Sequence, residues 1–171
     1  VSQSRGIWVI VLASVAALLL LVAPPKPETI KWIIAARFPS VSWVDADTLA
    51  RWMGDDADGT LMLLDARTKE EYAVSHLRHA TWVGPDGTEL LESSLPDDAV
   101  VVVYCSVGYR SAAVAKKLRK RGAAPVYNLT GGIFGWANAG RPLFRDDTRV
   151  EEVHPYSEAW RWLVREDLRA R

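Results

Sequence analysis

With 171 residues the chain has room for one domain and an appendage, not for two full domains. An apolar share of 49%, a charged share of 25% and 21 basic against 21 acidic residues describe an ordinary globular protein without net charge, and no basic stripe interleaved with aromatics points to nucleic acid. The single cysteine, Cys105, excludes an intrachain disulfide and leaves no resolving thiol, so any sulfur placed on it must depart to an outside acceptor.

The first element is apolar. Gly6 to Ala23 is an uncharged run of 18 residues between Arg5 and Lys26. As a helix it would extend about 27 Å, close to a bilayer core of ~30 Å, and it has no polar face with which to sit on a soluble domain. An uncleaved transmembrane helix over residues 6–23 is the expectation. A cleaved signal peptide and a soluble helix are the competing readings. Lys26, Lys31 and Arg37 favour a cytoplasmic domain, whereas the very short tail before the run favours an exported one. The exported side is preferred, giving a single-pass membrane protein. Pro24, Pro25 and Pro27 make a stiff exit. Ile30, Trp32, Ile33 and Ile34 then form an apolar cluster that suits either an interfacial helix or one packed on the domain.

Next come a short helix over Thr48–Met53 with Asp47 as its cap, and a buried strand over Leu61–Leu64. Thr68-Lys69-Glu70-Glu71 reads as a capping box opening another short helix, and Thr81–Val83 as a weak strand. Val100–Tyr104 carries an unbroken valine run, as expected of a strand covered on both faces. A helix over Ser111–Arg121 and a strand over Val126–Leu129 follow, then Gly131-Gly132 turning into a short helix. The alternation predicts an α/β fold, a mostly parallel sheet with helices on both faces, preceded by the one transmembrane helix. The spacing of Trp160, Leu163, Val164 and Leu168 predicts a docked C-terminal helix.

Ligands of such sheets sit at the carboxyl ends of strands, where Asp65, Arg67 and Cys105 all fall. Cys105-Ser106-Val107-Gly108-Tyr109-Arg110-Ser111 joins a buried strand to a helix N-terminus, a setting that favours a thiolate nucleophile. Gly108 permits the loop to curl so that its amides face inward as an anion cradle, and Arg110 adds a fixed positive charge. Asp65 and Arg67 are read as supporting residues that brace the loop by ion pairing. His76 is read as scaffolding rather than a base, and the basic run Lys116–Arg121 as a solvated helix end.

The loop resembles the Cys-x-x-Gly-x-Arg active-site loop of rhodanese sulfurtransferases. Leu64-Asp65-Ala66-Arg67 through Glu71-Tyr72, His76-Leu77 and Ala80 is similar to that family's upstream element, and Asn128 to Trp136 to its closing element. His79 stands where the family usually has glycine. The resemblance implies a rhodanese-like domain over 45–144; the residue patterns outside it give an anchor and exit (1–27), a juxtamembrane segment (28–44) and a helical extension (145–171). It also implies a reaction. Cys105 would take the outer sulfur of thiosulfate or a similar donor as a persulfide, held by the loop Ser106–Ser111, and pass it to cyanide or a thiol, with no metal or organic cofactor. Arg110 would hold the anionic donor or the loop itself. Two rivals stay open. A phosphatase or arsenate reductase also uses a cysteine loop ending in arginine, but the related cell-cycle phosphatases place five residues between the two, against the four here, Ser106 to Tyr109. The other rival is a non-catalytic, membrane-tethered binding module.

Overall fold

The computed structural model describes residues 25–56, 59–88, 95–96, 98–122 and 125–171. Helix α1 (Pro27–Arg37) leads into strand β1 (Ser42–Val44), helix α2 (Ala46–Asp55), strand β2 (Leu61–Asp65), helix α3 (Lys69–Val74) and strand β3 (Thr81–Trp82). Strand β4 (Val100–Tyr104), helix α4 (Tyr109–Lys120), strand β5 (Val126–Leu129) and helix α5 (Gly132–Asn138) complete the central unit, and strands β6 (Leu143–Arg145) and β7 (Thr148–Val150) form a hairpin after it.

The five strands β1-β5-β4-β2-β3 form one sheet, parallel throughout. The chain moves along the sheet one way from β1 to β2 and from β2 to β3, and back from β3 to β4 and from β4 to β5; the right-handed rule for such parallel crossovers puts α2 and α3 on one face and α4 on the other. Covering on both faces is what the valine run of β4 requires: Val101, Val102, Val103 and Tyr104 are all buried. The direction of the crossovers reverses between β2 and β4, which opens a crevice at their carboxyl ends, the usual ligand position in such a sheet. Asp65 and Tyr104 are paired at that end, and Cys105 follows directly.

Local signals explain most boundaries. Thr68 and Glu71 form the expected capping box at α3. Helix α2 is capped two residues earlier than the sequence suggests: the Thr48 amide donates to Asp45 Oδ1 at 2.7 Å, while Asp47 is drawn into an ion pair with Arg141. His79 adopts φ 57°, a left-handed conformation in which glycine carries no Cβ penalty.

The ends of the chain differ from expectation. The apolar segment 6–23 lies outside the described residues. Among the described residues no helix is long and apolar enough to cross a membrane. The longest, α1 and α4, hold 11 and 12 residues, about 17 and 18 Å of rise against a bilayer core of ~30 Å. The expected single-pass placement with an exported domain is corrected on this ground. Helix α1, one alternative for which was an interfacial position, docks on the domain by burying Ile30 and Ile34 and leaving Trp32 and Ile33 outward. The C-terminal segment docks as well, through buried Val153, Leu163 and Val164. It does so as two single 3-10 turns, Arg161–Leu163 and Glu166–Leu168, not as the continuous helix its spacing predicts. Backbone bonds between the segment around Val153 and that around Leu168 fold it back on itself and stop a helix from propagating.

Candidate active site

The loop after β4 is shaped from both sides. Its outward carbonyls are taken by the start of α5: the Ile133 amide donates to Cys105 O at 2.8 Å and the Phe134 amide to Ser106 O at 3.2 Å. Gly131 and Gly132, both at positive φ, allow that approach. A Cβ on Gly132 would overlap the backbone carbonyls of Cys105 and Ser106, and neither is a flexible group. Gly132→Ala is therefore expected to displace the loop and to cost about 2–3 kcal/mol from overlap and left-handed strain together. Chemical denaturation of the two proteins checks this, and an unchanged midpoint contradicts it.

Inside the loop, Gly108 takes φ 109° and caps α4. Its amide donates to Cys105 Sγ at 3.2 Å, and its carbonyl accepts from Asn128 Nδ2 on β5 at 2.8 Å. The curl is thus fixed at its turning point from the neighbouring strand. The remaining amides of the first turn of α4 have no intrahelical acceptor, and the helix dipole places partial positive charge beside the sulfur.

Glu71 is the electrostatic centre of the loop; from the sequence it is a helix cap and a member of the stretch that resembles the family's upstream element, with no link to Arg110. Arg110 donates to it through both terminal nitrogens, Nη1 to Oε2 at 2.7 Å and Nη2 to Oε1 at 2.9 Å. Ser106 Oγ donates to Oε1 at 2.6 Å and accepts from Arg110 Nη2 at 2.8 Å. The Thr68 amide adds a bond to Oε2 at 3.0 Å, so each carboxylate oxygen takes two donors. Burial alone would push the Glu71 carboxyl up, but the bonds from Arg110, Ser106 and Thr68 outweigh it and hold the group at about 2. Arg110 is correspondingly held in its charged form: burial disfavours the charge, while Glu71 and the adjacent Cys105 favour it more. This pair spans the crevice from α3 to α4, tying together the two helices that diverge there.

The other expected residues are placed as follows. Cys105, Ser106, Val107, Tyr109 and Arg110 line one cavity of about 320 Å³, with Cys105 buried in its floor. Gly108 contributes its amide to the sulfur. Ser111 is buried in the first turn of α4, is not part of the cavity wall, and its Oγ has no hydrogen-bond partner among the described residues. Asp65 and Arg67 lie fully buried and pair with one another, at 2.7 Å, instead of reaching the loop. Arg67 also donates to the Ser75 carbonyl at 2.5 Å and its own carbonyl accepts from Trp82 Nε1 at 2.8 Å, so the pair fastens the crevice wall behind the site. His76 stacks on Tyr72 with ring centroids 4.1 Å apart, exchanges backbone bonds with Phe144, and its imidazole pKa is lowered chiefly by burial. It does not line the cavity.

A cysteine thus sits in the loop after β4, at the switch point of a parallel sheet, with the Gly108 amide on its sulfur and the charged Arg110, paired with Glu71, nearby. Residues 45–139, more than half of the chain, match the family described as Rhodanese-like domain, and the chain belongs to that family. It is 33% identical over 103 residues to a sulfurtransferase of Allochromatium vinosum, covering 60% of this chain and 94% of that protein. It is 30% identical over 118 residues to the probable adenylyltransferase/sulfurtransferase MoeZ of Mycobacterium tuberculosis, covering 63% of this chain but only 28% of the longer relative. Among solved structures, thiosulfate sulfurtransferase from Pseudomonas aeruginosa superposes with a TM-score of 0.55 at 23% identity, over 80% of this chain and 26% of that one, a likeness of fold.

Proposed function

We propose that the protein is a sulfurtransferase that carries a sulfane sulfur as a persulfide on Cys105. The observation that carries the reading is the placement of Cys105 Sγ in the cavity floor, with the Gly108 amide on it and the charged Arg110 beside it. With thiosulfate as donor, the thiolate attacks the outer sulfur, the sulfur–sulfur bond of the donor breaks, and its electron pair leaves with sulfite. The persulfide anion then sits where the amides and the helix dipole favour negative charge. Cyanide or a thiol attacks the terminal sulfur and frees the Cys105 thiolate. Membership of a family that includes sulfurtransferases supports the reading.

Arg110 acts here by holding the loop. Its terminal nitrogens are engaged by Glu71 and Ser106, which leaves no free fork for the equatorial oxygens of a phosphoryl group, and a loop of four residues offers a narrower ring than phosphoryl transfer uses. The test is one assay series. Thiosulfate and cyanide should give Cys105-dependent thiocyanate, and an aryl phosphate should release phosphate no faster than the Cys105→Ser protein does. Efficient Cys105-dependent phosphate release without thiocyanate would replace this reading with a phosphatase.

A further inference from the structure

The cavity above Cys105 is not built from the central sheet and its loops alone. Helix α1 supplies Ile30, Ile33 and Ile34, the segment after β7 supplies Tyr156 and Trp160, and α5 supplies Phe134. Both contributing ends lie outside the family match at 45–139. They are held in place independently of any ligand: Ile30 and Ile34 are part of the hydrophobic core, and Phe38 at the end of α1 packs edge-on against Tyr109 of the loop, 5.4 Å between ring centroids.

The charge in this wall is already consumed. Among the described residues, Arg110 is the only charged one lining the cavity. Two of its nitrogens are bound to Glu71, and the Tyr156 ring covers the guanidinium at 4.8 Å. Tyr156 reaches it from a left-handed backbone, φ 67°, with its amide donating to His154 Nδ1 at 3.0 Å. A small dianion entering here would leave water for isoleucine, phenylalanine and tryptophan surfaces, and no free cation among the described lining residues meets it, which is unfavourable. An apolar group entering the same space would shed water from both surfaces. About 320 Å³ is room for a short alkyl chain or a single ring beside the reacting sulfur.

Resting on the sulfur-transfer reading above, we propose that the preferred donor is an organic sulfane-sulfur compound bearing an apolar alkyl or aryl group, which this cavity binds while the terminal sulfur meets Cys105. For an organic persulfide, the Cys105 thiolate attacks the terminal sulfur. A new bond forms from Sγ to that sulfur, the donor's sulfur–sulfur bond breaks, and the electron pair leaves on the organic thiolate. The proton stays on the transferred sulfur, and no oxidant or reductant is consumed.

Alkanethiosulfonates isolate the effect, because the leaving sulfinate is chemically the same while the chain length varies. The thiolate takes the terminal sulfur, the sulfinate leaves with the electron pair, and cyanide then removes the sulfur as thiocyanate. Using the full chain with cyanide as acceptor, kcat/KM for hexanethiosulfonate should exceed that for methanethiosulfonate by roughly tenfold or more, and that for thiosulfate by a larger factor, with the gain mainly in KM. Ile33 is 53% exposed, so Ile33→Asp is compatible with folding and should reduce the hexane-to-methane ratio by roughly fivefold or more. Trp32→Asp, on the same helix but outside the cavity, should preserve the ratio. If the two alkanethiosulfonates react equally well, if thiosulfate is the best donor, or if Ile33→Asp leaves the ratio unchanged, the apolar-donor proposal is overturned while sulfur transfer stands. If no donor yields thiocyanate, sulfur transfer itself is overturned with it.

Discussion

Cys105→Ser is expected to abolish sulfur transfer, lowering thiocyanate formation by about a thousandfold or more while the protein stays folded. Cys105 is the only thiol in the chain, so no neighbour can take over its role. Serine is close in size, and its hydroxyl can accept the Gly108 amide bond that the sulfur now accepts at 3.2 Å. The loop is held by contacts that do not involve the sulfur: the carbonyl bonds to Ile133 and Phe134, the Asn128 bond to Gly108, and the Glu71 cluster. A stability change within about 1 kcal/mol is therefore expected. Stopped or continuous thiocyanate assays beside a denaturant titration check both parts. Turnover near that of the parent protein would remove Cys105 from the chemistry.

Glu71→Gln is expected to be clearly destabilising although Glu71 does not touch the sulfur. Glutamine keeps the shape but removes the negative charge and replaces one acceptor oxygen by a donor, which faces the donors of Arg110. Because the Arg110 side chain is 20% exposed and water screens part of the loss, about 2–3 kcal/mol is expected, below the cost of breaking a fully buried pair. The pH dependence has a definite sign. The folded Glu71 carboxyl is lowered from 4.5 to about 2, so the native protein gains from its ionisation fully above pH ~4.5 and loses that gain as pH falls toward 2. The stability gap between the parent and Glu71→Gln should thus be largest near neutrality and shrink through this acid window. Urea titrations at pH 7, 4 and 3 measure it. A gap that is constant with pH would mean that the Glu71 charge is not what holds the loop. In the same variant sulfur transfer should fall by about tenfold or more, because Ser106 and Arg110 lose their common anchor on either side of the cysteine.

Much of this arrangement was legible in local patterns. The valine run of β4, the Thr68–Glu71 capping box and the strand–cysteine–glycine–arginine loop each state a short-range physical requirement, and the structure meets each of them locally. What the pattern could not convey were partnerships across the crevice. Glu71 lies 39 residues from Arg110, and its capping role already accounted for an acidic residue at that position. The available signals were a second acidic residue in the first turn of a six-residue helix and the place of Glu71 in the stretch that resembles the family's upstream element. Asp65 and Arg67 were expected to brace the loop, yet at two residues' separation they satisfy each other first. Strand β1 has only three residues, and the β6–β7 hairpin turns through Asp146 at positive φ without a glycine, so neither carries a strong periodic signal. The cavity wall was equally hidden, since Ile33 and Trp160 come from opposite ends of the chain and meet only through docking on the core.

The central claim is that sulfur travels through a covalent bond to Cys105. Intact-mass analysis of the full chain after treatment with a sulfane-sulfur donor, and again after cyanide, tests it most directly. The account predicts a gain of one sulfur atom per chain, mapped to the peptide containing Cys105, and its complete removal by cyanide with thiocyanate released in equal amount. Thiocyanate formed at the usual rate while Cys105 never gains mass, or a gain that cyanide does not reverse, would contradict it.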